Sequence, residues 1–154
     1  MVNEREIEIF FEDLKEGQSY DLGNYHVSRE EILEFATKYD PQPFHLSEEG
    51  GKASQFGGLI ASGWHATSIF MKLYVDGFLC RTSSQGSQGA DLLRWKRPIH
   101  PGDILTGNFT IIECSKFRGD IGVARGKAEL FNQDKKLVMS FIGNGMFKRR
   151  NPTS

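Results

Sequence analysis

The hydrophobic and polar positions divide the chain into a helical first half and a strand-rich second half. Residues 1–17 are mostly charged, with a brief alternation at Ile7, Ile9 and Phe11, and read as an arm or an edge strand. Gln18 to Val27 has the pattern of a short strand, with Tyr20, Leu22 and Tyr25 as core candidates. Ser28-Arg-Glu-Glu31 then matches a capping box, in which the Ser28 hydroxyl accepts from the third N–H and Glu31 bonds back. Ile32, Leu33, Phe35 and Ala36 supply the apolar face of the helix that follows. Pro41 ends it, because the residue before a proline avoids the helical region. Pro41 and Pro43 together predict a non-helical stretch as far as His45, and Ser47-Glu-Glu49 caps a further short helix through about Ala53. Gly57 and Gly58 break the chain before a segment from Trp64 to about Tyr74. There Trp64, Ala66, Ile69, Phe70, Leu73 and Tyr74 leave little polar surface, which predicts a central helix buried on most sides.

From about Leu79 the period changes to that of strands. Ala90 to Arg97, Ile104 to Phe117, Ile121 to Phe131 and Leu137 to Phe147 are the candidates. In the second, Leu105, Phe109 and Ile111 alternate against Thr106, Asn108 and Thr110. Arg118-Gly-Asp120 and Asn132-Gln-Asp134 mark turns, Ser84 to Gly89 reads as a flexible turn, and Pro98 to Asp103 as a turn-rich link. Helices followed by a run of antiparallel strands predict an α+β fold, with a buried helix against a curved sheet. Gly107, Gly122, Gly126, Gly143 and Gly145 within the strands would permit curvature or close approach of the helix.

Composition narrows the functional classes. A chain of 154 residues, 38% apolar and 25% charged, is expected to form one soluble domain with its own core. A net charge of −1 gives no reason to expect nucleic acid or an anionic membrane as partner. No apolar run is long enough to span a membrane, and the N-terminus lacks the basic and apolar regions of a signal peptide. Cys80 and Cys114 fit neither a metal motif nor a disulfide framework, so reduced thiols in the cytoplasm are expected. His26, His45, His65 and His100 are scattered, and no metal site is predicted. Gly57-Gly58 lacks the spacing and the strand context of a dinucleotide loop.

Two stretches carry candidate chemistry. Asp40 closes the first long helix, where the helix dipole disfavours an anion, and His45 follows five positions later across the two prolines. Each has a plain reading, a surface aspartate in an Asp-Pro turn and a structural histidine. Together they offer an acid and a base that could polarise one water. Ser62-Gly63 precedes the central helix. Ser62 reads as its N-cap, and the Gly63 amide as a donor to a substrate carbonyl gaining enolate character. A Ser-His-Asp hydrolase is disfavoured because Gly-x-Ser-x-Gly is absent. Arg81, Arg94, Lys96 and Arg97 could bind phosphates or simply be solvated strand-edge charges, and His65 reads as a packed or pocket-lining histidine.

At these residues the chain resembles the MaoC-like dehydratases, a family that includes the (R)-specific enoyl-CoA hydratases. Phe35-Ala-Thr-Lys-Tyr-Asp40 followed by Pro41-Gln-Pro-Phe-His45 matches the family's Asp-x-Asn-Pro-x-His motif, with Gln42 in place of the usual Asn. Phe56-Gly-Gly-Leu-Ile-Ala-Ser-Gly63 resembles its second signature, and Ala90 to Trp95 with Pro101-Gly-Asp103 its later strand and turn. The resemblance covers roughly residues 18 to 148. It implies a hot-dog fold, an antiparallel sheet wrapped around a long helix, in a homodimer or higher homo-oligomer. It implies reversible addition of water across a trans-2-enoyl-CoA double bond, with the coenzyme A or carrier-protein thioester as substrate and no separate cofactor. By position, Asp40 and His45 would be catalytic, holding and activating the water. The Gly63 amide would stabilise the thioester oxygen, and Ser62 would support the site.

Two other functions fit the same fold. A thioesterase would turn an acid on the carbonyl carbon, but its acid is expected on the central helix, which here has none before Asp76. A non-catalytic acyl-binding protein would have no need for both Asp40 and His45. Phe44, Trp64, Phe70 and Tyr74 could equally shape an acyl pocket or pack the core.

Overall fold

Every predicted strand forms, and together they make one antiparallel sheet. The computed structural model describes residues 6–151. Its strands are β1 (Ser19–His26), β2 (Ser84–Trp95), β3 (Ile104–Arg118), β4 (Ile121–Phe131) and β5 (Leu137–Lys148), in the spatial order β1-β3-β4-β5-β2. The helices are α1 (Arg29–Tyr39), α2 (Pro43–Leu46), α3 (Glu48–Lys52) and α4 (Gly63–Gly77). Alternation along β3 and β4 turns Leu105, Phe109, Ala128 and Leu130 inward, where they meet Ile69, Phe70 and Leu73 of α4. The sheet wraps this helix, and the result is the hot-dog fold. Gly107 of β3 lets the helix settle close, since a Cβ there would stand only 3.1 Å from a methyl of Leu73.

Helix limits follow the local chemistry. Ser28 caps α1, accepting from Glu31 N at 3.2 Å. The other half of the predicted capping box is not formed: rather than bonding back to Ser28, the Glu31 carboxylate accepts from the Tyr25 hydroxyl and faces His65 Nε2 at 3.1 Å. Burial and this carboxylate push the Tyr25 hydroxyl up to about 12.

Two further expectations are revised. The Pro41–His45 stretch is not free of helix, because Pro43 takes the first position of α2, where its missing N–H costs nothing. Ser84–Gly89 is not a free turn but the first half of β2, paired with β5 from Ser84 opposite Phe147. Gly86 and Gly89, at φ +102° and +124°, absorb the register shifts there. Of the two readings of the N-terminal segment, its described part takes the arm: Ile9 makes a single bridge to Thr82, and the Phe11 ring covers Gly122 of β4. Residues 1–5 of that segment lie outside the described residues. Among the described residues, no helix is long and apolar enough to cross a membrane.

Candidate active site

The junction of α1, α2 and α4 gathers the acid, the base and the helix start. Asp40 caps the C-terminus of α1, its N–H bonding Ala36 O at 2.9 Å. Its side chain leaves that unfavourable helix end and reaches the N-terminus of α4, whose dipole favours an anion. There Ser62 Oγ donates to Asp40 Oδ2 at 2.7 Å, and Gln42 Nε2 donates to Oδ1 at 2.7 Å. Burial pushes the Asp40 carboxyl up, but the Ser62 and Gln42 hydrogen bonds and the nearby His45 charge outweigh it. The net result lies below the ordinary aspartate value.

The single turn of α2 buries His45, only 5% exposed. Its Nδ1 stands 2.8 Å from the Ile60 carbonyl. A carbonyl oxygen only accepts, so Nδ1 carries a hydrogen and Nε2 is the nitrogen left to face Asp40. That nitrogen lies 3.4 Å from Asp40 Oδ2. Ser62 is the N-cap that the sequence predicts. It caps α4, accepting from Trp64 N at 3.3 Å, while its own hydrogen goes to Asp40.

These groups line a cavity of about 430 Å³ that also takes in Gly63, Trp64, Trp95, Lys96 and Arg97. Gly63 is the first residue of α4, and its amide has no partner within the helix. The Trp95 indole lies directly upon it: a Cβ at Gly63 would sit 2.4 Å from the ring. Trp95 Nε1 donates to Thr67 Oγ1 at 3.2 Å, and the Trp64 ring meets Trp95 edge-on with centroids 5.0 Å apart. Of the four basic candidates, exposed Lys96 and Arg97 border this cavity. Arg81 instead bonds the Gly77 carbonyl, and Arg94 that of Leu93.

The structure brings together Asp40, His45, Ser62 and Gly63, with Phe44 and Trp64 beside them. It separates Phe70 and Tyr74, which line a different cavity. His65 is buried beside α1, stacked on Phe35 with centroids 4.8 Å apart, and takes no place in this group. Sequence reasoning missed Trp95 as a wall and the Ile60 carbonyl as the group that sets the His45 tautomer. A tryptophan closing a strand whose first half is polar was the available signal for the first; the second had none. Among the described residues, no three His, Cys, Asp or Glu side chains gather as a metal site.

Residues 13–132 match the profile of the MaoC like domain. The chain belongs to the MaoC-like family. The matched range contains the whole Asp40–Gly63 group and stops short of β5. A curated relative, the uncharacterized protein YdeM of Bacillus subtilis, is 28% identical over 134 residues, covering 86% of this chain and 94% of that protein. The (R)-specific enoyl-CoA hydratase of Rhodospirillum rubrum is 28% identical over 108 residues, 66% of this chain and 69% of that one. The crystal structure of a MaoC-like dehydratase from Rhodospirillum rubrum superposes with a TM-score of 0.85 at 34% identity, covering 93% of this chain and 99% of that one.

Proposed function

We propose that the protein is a hydratase–dehydratase that adds water reversibly across the double bond of a trans-2-enoyl thioester, with coenzyme A or a carrier protein as the thiol. The observation that carries this reading is the pairing of Asp40 Oδ2 with His45 Nε2 at 3.4 Å on the wall of a cavity that includes the start of α4. Asp40 is ionised at neutral pH and accepts only, and the imidazole form of His45, with the Nδ1 hydrogen held against the Ile60 carbonyl, offers a lone pair at Nε2. A water hydrogen-bonded to both presents its oxygen to C3 of the substrate. As the new C–O bond forms, the pair takes up one proton from this water and charge moves onto the thioester oxygen. The Gly63 amide and the dipole of α4 stabilise that enolate. The pair then returns a proton to C2, so H and OH are added with no net change in the site.

Both groups act from one wall of the cavity, so H and OH are expected on the same face of the double bond. A thioesterase is disfavoured because the acid on α4, Asp76, is exposed and paired with Lys72 at 2.8 Å. The proposed setting is the cytoplasm, where Cys80 and Cys114 remain thiols. A homodimer is proposed through the exposed edge strand β2, which carries Leu92 and Trp95 at the surface; light scattering on the eluting protein tests it.

The experiment for the activity follows the enoyl-thioester absorbance with crotonyl-CoA and longer enoyl-CoA esters, alongside a free-thiol assay. Hydration without thiol release is expected, falling about 10²–10⁴-fold in Asp40→Asn. Thiol release in place of hydration would overturn the reading, as would full activity in that variant.

A further inference from the structure

α1 carries the acid and α4 carries the groups it works beside, so the site depends on how these two helices are set against each other. Asp40 closes α1, and Ser62 and Gly63 open α4. Apolar packing fixes part of that setting, since Ile32 and Ala36 of α1 are fully buried. Beyond them the packing is interrupted. A hollow of about 390 Å³ runs between the outer faces of the two helices, bordered by Glu34 and Lys38 of α1 and by Ser68 and Lys72 of α4. Hydrophobic burial is non-directional, so it holds the helices together without fixing the roll of α1 toward this hollow.

One side chain bridges the gap. His65 of α4 is buried at the edge of the hollow, stacks on Phe35 with the rings 7° from parallel, and turns Nε2 toward Glu31 Oε1 at 3.1 Å. Glu31 and Phe35 stand one turn apart on the same face of α1, so a single imidazole engages a whole turn of that helix. The Tyr25 hydroxyl of β1 donates to the same Oε1. Sheet, α1 and α4 therefore meet at one oxygen. A carboxylate oxygen only accepts, so Nε2 carries the hydrogen, the opposite tautomer to that of His45. In the imidazole form Nδ1 then keeps a bare lone pair, buried and without a partner among the described residues. Such an orphan is destabilising, and a phenylalanine of nearly the same shape would stack on Phe35 without it. Packing does not call for a histidine here. What the histidine adds is a hydrogen bond with a preferred direction.

We propose that His65 is a positioning residue: through Glu31 and Phe35 it fixes the roll of α1, and with it the place of Asp40 beside Ser62 and Gly63. Phe35 lies five residues before Asp40, ~8 Å along the axis of α1, and His65 two residues past Gly63, ~3 Å along that of α4. The lever is short on both sides, and catalytic groups tolerate errors of only about 0.5 Å or 10–20°. The consequence for rate rests on the hydratase reading above; the geometry does not.

His65→Phe and His65→Gln test this as a pair. Phenylalanine keeps the stack and removes the orphan nitrogen but has no donor; glutamine keeps a donor at the reach of Nε2 and loses the ring. If His65 served packing alone, stability and rate would both favour phenylalanine. Positioning separates the two orders. Urea midpoints should place His65→Phe at or above the wild type and His65→Gln below it. The kcat for crotonyl-CoA hydration should instead fall about 10- to 10²-fold in His65→Phe at unchanged KM, and recover most of the way in His65→Gln. Asp40 drawn off Ser62 loses a hydrogen bond that holds its carboxyl down, so the acidic limb of His65→Phe should move to higher pH. Carbon-13 NMR titration of the Asp40 carboxyl reads the same displacement without substrate. A native Asp40 titration in folded His65→Phe overturns the proposal, as does a His65→Gln enzyme no faster than His65→Phe. Should His65→Phe not fold, Glu31→Ala severs the same tie from α1, leaves the stack in place, and is judged by the same titration. If the wild type hydrates no enoyl thioester while Asp40 shifts in the variant, the hydratase reading falls alone; if hydration is found and Asp40 titrates natively, this inference falls alone.

Discussion

Gly63→Ala sets stability against activity in a way the geometry can quantify. The new methyl would lie 2.4, 2.5 and 2.8 Å from three atoms of the Trp95 ring. Carbon atoms in contact sit about 3.5–4.0 Å apart, so the indole must retreat by ~1 Å. Retreat weakens its hydrogen bond to Thr67, worth about 0.5–1.5 kcal/mol, and its edge contact with Trp64, worth a similar amount. Trp95 is 45% exposed, which puts both losses at the low end. Replacing glycine at a helical position returns up to ~1 kcal/mol. Net stability should therefore move by no more than about 1 kcal/mol. The wall beside the proposed thioester position moves by the full ångström, a displacement that costs about 10²-fold in rate. Urea denaturation should show a near-native midpoint, hydration of an enoyl-CoA should fall by about two decades, and tryptophan emission should shift to the red. Native turnover with native emission would refute the claim that Trp95 seated on Gly63 shapes the site. A stability loss above ~3 kcal/mol would show instead that the indole cannot move.

Ser62→Ala removes both a cap and a carboxylate partner, so a loss of about 1–2 kcal/mol is expected by denaturation, with the acidic limb of kcat/KM moving to higher pH. Asp40 has a folded-state value below its unfolded one, so its contribution to stability is complete above about pH 5 and drains away as pH falls through the folded value. Urea midpoints measured downward from pH 5 should accordingly fall more steeply for the wild type than for Asp40→Asn. Glu31→Gln should lower the titration of Tyr25 from about 12, read by tyrosinate absorbance, since it removes the charge that helps hold the phenol protonated. Phe78→Ala empties a fully buried position ringed by Tyr20, Tyr74, Phe109 and Phe147, and should cost about 3–5 kcal/mol in a denaturant titration.

What could be read in advance was what depends on near neighbours. The limits of β4, Ile121 to Phe131, were legible because a Gly119 turn and an Asn132 turn bracket an apolar run. Asp40 and His45 were legible because a helix end and two prolines mark them within six positions, and Ser62 because an N-cap is a local device. Ser84–Gly89 was not, since its composition favours a turn and only pairing with β5, more than fifty residues away, makes it a strand. Pro43 misled for a different reason. A proline bars the interior of a helix and not its first position. Trp95 over Gly63 and the Ile60 carbonyl on His45 are contacts between distant or featureless positions, and no periodicity records them.

The hydrogen bonds that aim Asp40 and His45 come from Ala36, Gln42, Ile60 and Ser62, and all end before residue 65. The proposed proton-handling apparatus is therefore a short, contiguous heritable unit. A recombination crossover anywhere downstream transmits it whole and joins it to new strands. Mutations in β2 and β5 can likewise accumulate without retuning the acid or the base. Descendants of such a chain can diverge in what they accept while inheriting how they react.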